Sequence, residues 1–524
     1  MKKTLLFTLG AFLAGFASSQ CAPPTSALQI NLNNVAANLR SNGTFWNNPL
    51  SSMPGYEVPQ GSGKHTIYSG ALWFGGLSDS GQLHLAAQLW GSSSGNDYWT
   101  GPIDDATGAA FNCPAFDQFY IVAASEIQTF ISTGSSSASI DSWPAKGNPN
   151  LSYLPNQDLA PFVDVNSDGL YNPSDGDFPK IKGDVAYWWV MNDVGGAHTV
   201  SSAEPFGMEI HVMAYAYATS DSLNNMTFYE LKLINKSLET RSDTYFGMWL
   251  DPDLGFYGDD YVGVDTSLLT AYVYNGDSFD EDGPGPLGYG SQPPVQGITF
   301  SSNPTLNMAT PIDLASFMAF GSGGGIPGSG PTTAADYYSL MKGTYSGVPL
   351  LHPTTGDTTT FIYPDNPMDG SGWSECSISN PPGDRRFLMS FGPADMLPGD
   401  ELTACFGLIY HQPDSADHCD GPDEFLDLVA NMGDFCSNLH HVGMEEKEEG
   451  LNFEVFPNPA SHHISIAGVN GQVELQLFNT VGQIVLDRSV LGETSVSVAG
   501  LQPGIYLLRL FDGKRSGTTK VIIE

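Results

Sequence analysis

The sequence predicts a mainly β protein, and three observations support this fold class. The 524-residue chain has 59 glycines and 36 prolines, a composition that shortens helices and supplies tight turns. Residues 208–218 alternate between two faces with the period of two that is typical of strands. Residues 451–524 repeat this rhythm in short runs separated by turns. We therefore expect a β-sandwich or jelly-roll-like body with long loops, followed by a smaller β-sandwich.

The chain begins with the features of a secretory signal peptide, predicted at residues 1–19. Lys2 and Lys3 are followed by an apolar stretch at 5–16 and by small residues at 17–19. Gln20 stands where lipoprotein processing at Cys21 would require a small residue, so ordinary cleavage is expected. No later segment is apolar and long enough to predict a membrane span.

The body is predicted as two parts, because a single core rarely grows beyond roughly 250–300 residues. Residues 20–160 form a β-rich N-terminal module, with strand patterns at 66–77 and 82–90. Residues 161–441 form a central sandwich, whose best core face is Met208, Ile210, Val212 and Ala214. Apolar residues spaced by three and four between 425 and 439 predict one amphipathic helix opened by Pro422.

The end of the chain is predicted as a linker and a separate domain. Residues 442–450 are rich in charge and poor in apolar residues, which indicates a linker. Residues 451–524 contain about five alternating strands, with turns at 479–482, 503–504 and 512–513. This pattern is typical of a small immunoglobulin-like sandwich.

Six cysteines would meet an oxidising compartment after export, where disulfides are stable. None has CxxC spacing, so a zinc or redox site is disfavoured. Six thiols allow 15 connectivities, and the sequence does not choose among them. Cys419 and Cys436 flank the predicted helix and are the first pairing to consider.

Four motifs of the terminal unit carry a family resemblance. They are FPNP at 456–459, LFN followed by GQ within 477–483, LQPGIY at 501–506 and a basic-then-apolar strand at 520–523. Together they resemble the type A C-terminal sorting domain of type IX secretion substrates in Bacteroidetes. The resemblance implies export through the periplasm to the cell surface or the medium, with the outer-membrane secretion machinery as a partner of residues 451–524. In that family the domain is commonly removed, and the cargo is released or attached to surface polysaccharide.

The body has a looser likeness to large uncharacterised surface proteins exported by the same route. It is carried by residues 56–65, 70–73, 164–177, 251–260 and 383–387. This likeness implies export by the same route and no particular chemistry.

The charge of the chain excludes some partners and favours others. There are 57 acidic and 19 basic residues, a formal net charge of −38, so nucleic acids and anionic membranes would be repelled. Divalent cations are the natural counterions, and calcium is the expected cofactor. The alternative use of these carboxylates is solubility in an external medium.

Residues 164–177 carry the spacing of a calcium loop. Oxygen-bearing side chains stand at loop positions 1, 3, 5 and 12, with Gly169 at position 6 for the sharp turn. The alternative is a solvated Asp/Asn turn. The predicted ligands are Asp164, Asn166, Asp168, the carbonyl of Leu170, Asp175 and Asp177.

A second acidic loop, at residues 251–260, follows a predicted strand. Its spacing matches no standard motif, but carboxylates this close repel one another unless a cation intervenes. The alternative is exposed charge at a loop tip. The predicted ligands are Asp251, Asp253, Asp259 and Asp260.

Catalytic signatures mostly fail in the sequence. It has no HExxH and no phosphate loop, and the GSSSG run at 91–95 belongs to a polar loop, not to a GxSxG elbow between a strand and a helix. No catalytic residue is predicted, and the sequence favours a non-enzymatic protein over an enzyme. Aromatic residues at 90 and 98–99 border a polar loop at 92–97, and those at 187–189 follow the first acidic loop. They are candidates for binding sugars, with core packing as the alternative. The leading hypothesis is a calcium-binding adhesive or glycan-binding surface protein. The alternatives are a secreted hydrolase of polysaccharide or protein, and a structural surface-layer component.

Overall fold

The computed structural model divides into two compact units, residues 1–443 and 444–524. It describes residues 21–48, 53–90, 95–321, 326, 328–415, 417–438, 441–442, 453–469, 471–479, 484–492, 494–511 and 516–524. The predicted signal peptide and residues 443–450 of the predicted linker lie outside the described residues. No described helix is long and apolar enough to cross a membrane.

The first unit is built from short and medium strands. In chain order they are β1 (Ala27–Ile30), β2 (Ala36–Arg40), β3 (Thr44–Phe45), β4 (Tyr56–Glu57), β5 (His65–Leu77), β6 (Leu83–Ala86), β7 (Trp99–Thr100), β8 (Tyr120–Ala123), β9 (Phe162–Val163), β10 (Phe178–Pro179), β11 (Ile181–Lys182), β12 (Val185–Asn192), β13 (Met208–Ala216), β14 (Met226–Asn235), β15 (Arg241–Pro252), β16 (Asp260–Asp265), β17 (Thr270–Asn275), β18 (Val295–Phe300), β19 (Thr305–Leu306), β20 (Thr310–Pro311), β21 (Leu314–Gly321), β22 (Thr344–Tyr345), β23 (Val348–Leu351), β24 (Thr358–Thr359), β25 (Arg385–Met396), β26 (Glu401–His411) and β27 (His441–Val442).

Two large antiparallel sheets carry most of these strands. One has the order β1-β2-β3-β5-β15-β25-β21, with β4 and β6 attached. The other has the order β16-β17-β18-β26-β14-β13-β12-β7, with β8, β19 and β20 attached. A continuous apolar core lies between them and includes Phe74 and Met248 of the first sheet and Val212 and Leu231 of the second. The predicted sandwich is confirmed.

Both sheets are also buried on their outer faces, which the sequence does not predict. In β13, Met208, Ile210, Val212 and Ala214 face the central core as expected. The opposite face, which includes Met213 and Tyr215, packs into a second core beneath helices and loops. The sandwich is therefore enclosed by further layers, and polar side chains on outward faces lie under cover.

Helices form part of these outer layers. Phe425 and Val429 cover the larger sheet, and Tyr337 and Leu340 cover the smaller. The predicted C-terminal helix is confirmed, but it ends at Met432 because Gly433, at a φ of 56°, reverses the chain before a further short helix. The helices are α1 (Ala124–Thr133), α2 (Ala138–Asp141), α3 (Ala334–Met341), α4 (Gly421–Met432) and α5 (Phe435–Asn438), with 3-10 turns at Cys113–Phe116, Pro173–Asp175 and Ser222–Asn225. Helices α1 and α3 are not among the predicted elements.

Strands from both sides of residue 160 share the two sheets. β5 pairs with β15, and β7 and β8 pair with β12. The chain between 21 and 442 therefore packs as one unit, and the boundary predicted between 160 and 161 does not coincide with a division between compact units.

Three disulfides tie the first unit, and the predicted Cys419–Cys436 pair is wrong. Cys419 bonds to Cys376, and Cys436 bonds to Cys405 on β26. Cys21 bonds to Cys113 across 92 residues. The pairing follows tertiary neighbours: Cys436 of α5 lies over β26, which carries Cys405, and Cys419, just before α4, meets Cys376 in the loop between β24 and β25.

Several of the few basic side chains are buried. Arg40, Lys182, Arg241 and Arg385 are each less than a tenth exposed. Each charge needs a partner inside the protein. Arg241, for example, donates to the carbonyl of Phe206 at 3.0 Å and to a carboxylate at 3.1 Å.

The second unit is a small two-sheet sandwich. Its sheets have the orders β28-β29-β32 and β31-β30-β33-β34, and apolar side chains such as Ile464 and Leu508 form a core of their own. The predicted immunoglobulin-like layering is consistent with these sheets. Its strands are β28 (Glu454–Phe456), β29 (His463–Ala467), β30 (Gln472–Phe478), β31 (Ile484–Leu491), β32 (Thr494–Ser497), β33 (Gly504–Phe511) and β34 (Ser516–Ile523).

Candidate metal centre

Three carboxylates lie close together at one edge of the sheet that contains β5, β15 and β25. At this edge β15 ends and its neighbour β25 begins. Asp251 and Asp253 lie at the end of β15 and just after it, and Asp384 immediately precedes β25. These strands are antiparallel neighbours, with Leu250 opposite Phe387. One oxygen from each of the three carboxylates lies within 4.8 Å of the other two. The pairing thus adds Asp384 to two residues predicted from the sequence.

One arginine and one tryptophan complete the inner surface of this site. Arg386 Nε lies 3.0 Å from Asp251 Oδ1, and its Nη2 lies 3.0 Å from Asp384 Oδ2. The Trp90 indole N–H donates to Asp251 Oδ2, and the guanidinium carbon of Arg386 lies 5.6 Å from the centre of the Trp90 ring. With three carboxylates and one guanidinium, the formal charge of the centre is −2 when all are ionised.

Burial makes this charge costly. It raises the pKa of Asp251 to about 7, although Arg386 and the Trp90 hydrogen bond act in the opposite direction. Burial, with the nearby charges of Asp251 and Asp384, raises the pKa of Asp253 well above its usual range. A bound divalent cation would relieve this cost, because it stabilises the ionised carboxylates.

A cavity of about 380 Å³ opens beside the carboxylates. The Asp251–Asp253–Asp384 centre forms one part of its wall, and Tyr68 and Tyr257 contribute aromatic rings. The site therefore combines hard oxygen ligands with apolar ring surfaces, in a space large enough for a small ligand.

Asp259 and Asp260 belong to a neighbouring acidic cluster. Asp260 is fully buried, and its Oδ2 accepts from the amide of Leu254 at 3.3 Å. Its Oδ1 has no hydrogen-bond partner among the described residues. Asp280 accepts amide hydrogens from Phe256 at 2.9 Å and Tyr289 at 2.7 Å, so it ties the acidic loop to residues 280–289. The four residues predicted at 251–260 are thus divided between two clusters.

The pKa values of the second cluster predict an unusual pH dependence of stability. Burial first, with like charges around it, raises the pKa of Asp259 to about 8, and burial raises that of Asp280 to about 6. Protons held by the folded state and released by the unfolded state favour folding at low pH. Their contribution is present below a pH of about 4 and is lost as the pH rises through about 6 to 8.

With EDTA present, we therefore expect the free energy of unfolding to fall between pH 5 and pH 8. It can be measured by denaturant titration followed by tryptophan fluorescence. Carboxylates with lowered pKa, such as Asp336 at about 2, change charge below this window. Asp260→Asn should flatten the slope, because it removes a carboxyl group whose own pKa is raised well above its usual range by burial and by the charges of Asp259, Asp253 and Asp280. A stability that rises across the window in the unmodified chain would contradict the expectation.

The first acidic loop is closed by hydrogen bonds to its own backbone. Asp164 Oδ1 accepts from Ser167 N at 2.7 Å and Asp164 Oδ2 from Gly169 N at 2.7 Å. Asn166 Nδ2 lies 3.0 Å from Asp168 Oδ2, so positions 1, 3 and 5 lie on one curled turn. The ends of the loop are held together by the pairing of β9 with β10.

The remaining predicted ligands of this loop have different surroundings. Asp175 accepts from the side-chain amide of Asn172 at 2.6 Å. Asp177 is fully buried and accepts from the amides of Val165 at 2.8 Å and Asn172 at 2.9 Å, which fixes the base of the loop. The side chain of Leu170 is exposed. Among the described residues, the loop does not bring three carboxylates within 4.8 Å of one another.

Most of the aromatic candidates serve the core. Tyr98, Trp99 and the three aromatics at 187–189 are buried between or beneath the sheets. Trp90 is the member of that set that reaches the acidic cavity. The site residues missed at the sequence level are Asp384, Arg386, Tyr68 and Tyr257. Asp384 immediately precedes β25 and Arg386 is its second residue, and charged residues at the start of a strand are too common to identify these two from the sequence.

Between Asp384 and Arg386, Arg385 anchors the strand from the opposite side. Its guanidinium is fully buried and lies 2.7 Å from Glu375, which is also fully buried. Glu375 further accepts from Val262 N at 2.8 Å and Asn380 Nδ2 at 2.7 Å. This ion pair fixes the start of β25 and therefore the position of both adjacent site residues.

Residues 454–524 match a family model described as a secretion system C-terminal sorting domain. The chain thus ends in a type IX secretion sorting domain and is exported to the cell surface or secreted. The match confirms the sorting domain that the four sequence motifs predict. The match covers the second unit and leaves the first unit unassigned.

Other comparisons are distant. No curated protein matches the chain. One similar solved structure is a polysaccharide lyase, with 8% identity, a TM-score of 0.20, and coverage of 60% of this chain and 34% of that one. Another is PorZ, described as a surface component of the type IX secretion system of Porphyromonas gingivalis, with 12% identity, a TM-score of 0.13, and coverage of 71% and 48%. The chain thus spans about a third and about half of these two proteins, and neither likeness carries an argument.

Proposed function

We propose that the first unit is a calcium-dependent saccharide-binding module, delivered to the cell surface or medium by the sorting domain. Calcium is held by Asp251, Asp253 and Asp384, and the sugar occupies the adjoining cavity. The observation that carries the proposal is the charge of the buried centre. Three carboxylates with one arginine leave a formal charge of −2, which one divalent cation neutralises.

The chemistry of the donors favours calcium among divalent cations. All three side chains offer hard oxygen atoms, and no imidazole or thiolate is part of this group. Calcium takes six to eight oxygens, so three carboxylates leave coordination positions open. Hydroxyl groups of a sugar and water are oxygen ligands of the same kind.

The aromatic rings supply the other half of a sugar site. Trp90, Tyr68 and Tyr257 line the same cavity as the carboxylates. The faces of aromatic rings pack against the C–H faces of sugar rings, while carboxylates and Arg386 accept from and donate to hydroxyl groups. The loop at 164–177 is a second proposed calcium site, whose role would be to stiffen the segment between β9 and β10.

Replacing Trp90 by alanine should weaken saccharide binding about tenfold while calcium binding is retained. Binding partners would first be found by screening the purified protein against immobilised glycans with calcium and with EDTA. Affinities for a positive glycan would then be measured by calorimetry. Phe279→Ala, which removes an exposed aromatic ring outside the cavity, should leave binding unchanged. Binding of an uncharged glycan that persists in EDTA, or that survives Trp90→Ala, would contradict the assignment.

One observation favours a hydrolase as a second candidate. Burial raises the pKa of Asp251 to about 7, and Asp251 lines the same cavity as a second carboxylate, Asp384. Glycoside hydrolysis uses two carboxyl groups on either side of the bond that is cleaved. The same screen separates the two functions. Release of reducing sugar or shortened glycan during incubation would support the hydrolase and count against simple binding.

A further inference from the structure

A second cavity lies on the outer face of the eleven-stranded sheet. It has a volume of about 710 Å³ and shares no lining residue with the acidic cavity. Its floor includes Trp188 of β12 and His211 of β13. Its walls come from the segment leading into β9, from Lys180 and Lys182 at β11, from residues 302–305 after β18 and from α5. The covering layers described above therefore leave a recess over this sheet.

The lining of this recess has the opposite charge to the rest of the protein. Lys146, Lys180, Lys182 and Lys232 line it, although the chain has only 19 basic residues and a net charge of −38. Two carboxylates, Asp158 and Glu230, also line it, so the formal charge of the lining is +2 (four lysines less two carboxylates). Solubility does not explain lysines gathered in a recess, because a solubilising charge belongs on an exposed surface.

The four lysines differ in what they already contact. Lys182 is buried, lies 2.5 Å from Glu230 and donates to the carbonyl of Cys436, so it is a structural residue. Lys146 lies 3.1 Å from Asp158, which is 79% exposed. Lys232 lies 2.7 Å from Glu401. Lys180 has no ion-pair partner in the described part of the chain, and exposed pairs such as Lys146–Asp158 are weak enough to exchange partners.

The floor of the recess is rigid and partly aromatic. His211 Nε2 lies 2.8 Å from Glu209 Oε1, and Glu209 Oε2 accepts from Ile103 N at 2.6 Å and Gln157 Nε2 at 3.1 Å. This buried network fixes the imidazole, whose ring centre lies 5.5 Å from that of Trp188 in an edge-on arrangement. These two side chains therefore form a rigid floor, of which His211 is 5% and Trp188 only 1% exposed.

The opposite wall offers neutral polar groups. Ser302, Asn303, Thr305 and Thr403 line it with hydroxyl and amide groups. A ligand that satisfies these walls carries acidic groups for the lysines and hydroxyl groups for the neutral polar side chains. A long polyanion such as a nucleic acid is disfavoured, because the chain outside the recess would repel it.

We propose that this recess binds an acidic sugar of one or two rings, with Lys180 and Lys146 contacting its carboxylate or sulfate groups. The volume lies within the range of about 300–1,000 Å³ that small-ligand sites occupy. This site is independent of calcium and of the acidic cavity, so it adds a second ligand class to the first unit.

Calorimetry with the galacturonic acid dimer as probe tests this proposal. The purified protein is titrated in EDTA, which removes any contribution of the calcium-dependent site. The dimer should bind, and the matching uncharged disaccharide should bind at least tenfold more weakly. Lys180→Gln and Lys146→Gln should each weaken dimer binding about tenfold, the usual effect of losing one charge-assisted hydrogen bond.

Lys342→Gln is the matched control, because it makes the same charge change at the end of α3, outside the recess. It should leave the affinity unchanged, and thermal unfolding of all variants checks that they fold. The proposal is overturned if the dimer does not bind, if the uncharged disaccharide binds equally, or if the control weakens binding as much as Lys180→Gln. Displacement of the dimer by inorganic sulfate with equal affinity would overturn the sugar specificity.

Discussion

Replacing Arg385 by methionine should destabilise the first unit by about 3–5 kcal/mol. The substitution leaves the fully buried carboxylate of Glu375 without the guanidinium that lies 2.7 Å from it. Removal of one partner from a buried pair is costly because an uncompensated charge remains in the protein interior. Denaturant unfolding followed by tryptophan fluorescence measures the change selectively, since all nine tryptophans lie in the first unit.

Two further variants separate the charge effect from lost packing. A double variant, Arg385→Met with Glu375→Leu, should regain part of the lost stability because no lone charge remains. Lys236→Met breaks the exposed pair with Asp105 and should change stability by less than about 1 kcal/mol. A double variant less stable than Arg385→Met alone would show that hydrogen bonds to Val262 and Asn380 outweigh the buried charge.

Asp253→Asn should change stability in opposite directions with and without calcium. In EDTA the variant should be more stable than the unmodified chain, because it removes a carboxylate whose pKa is raised by burial and by the charges of Asp251 and Asp384. In saturating calcium it should be less stable. A ligand at 100 to 1,000 times its dissociation constant stabilises the folded state by about 2.7–4.1 kcal/mol, and the variant loses that increment.

Thermal unfolding in EDTA, calcium and magnesium provides the comparison. Asp79→Asn, at an exposed position, is the control for a charge change alone and should keep the full calcium increment. Asp164→Asn tests the first acidic loop separately. A calcium increment that survives Asp253→Asn and disappears in Asp164→Asn would place the ion in the first loop and refute the centre proposed between the strands.

The local sequence pattern is sufficient to predict the main strands of the sandwich. The alternation in β13 identified the core face, because the side-chain period of a strand is fixed by its backbone. It could not identify the outer layers, since whether the second face of a sheet meets water or a covering helix depends on distant residues. Helix α3 had a readable start, with Thr333 and Asp336 in a capping box. Helix α1 contains several β-branched residues, which reduce helix propensity and obscured it.

The candidate metal centre likewise combines two residues that the local sequence predicts with one that it does not. Asp251 and Asp253 were identified from local carboxylate density, which the sequence displays directly. Asp384 lies far along the chain and reaches them through the pairing of β15 with β25, a long-range contact that no local pattern encodes. The disulfides depend on similar long-range contacts, and the Cys419–Cys436 pairing predicted from proximity along the chain is wrong. Calcium at either loop remains a prediction.

The burial of basic side chains also bears on how long the protein survives outside the cell. Trypsin-like proteases cleave after lysine or arginine and must draw an extended segment around that residue into their active site. Arg40, Lys182, Arg241 and Arg385 are held inside the first unit, in or beside paired strands, so cleavage there requires prior unfolding. The chain has only 19 lysines and arginines, so the burial of four of them reduces the number of points at which such a protease can cleave the folded protein.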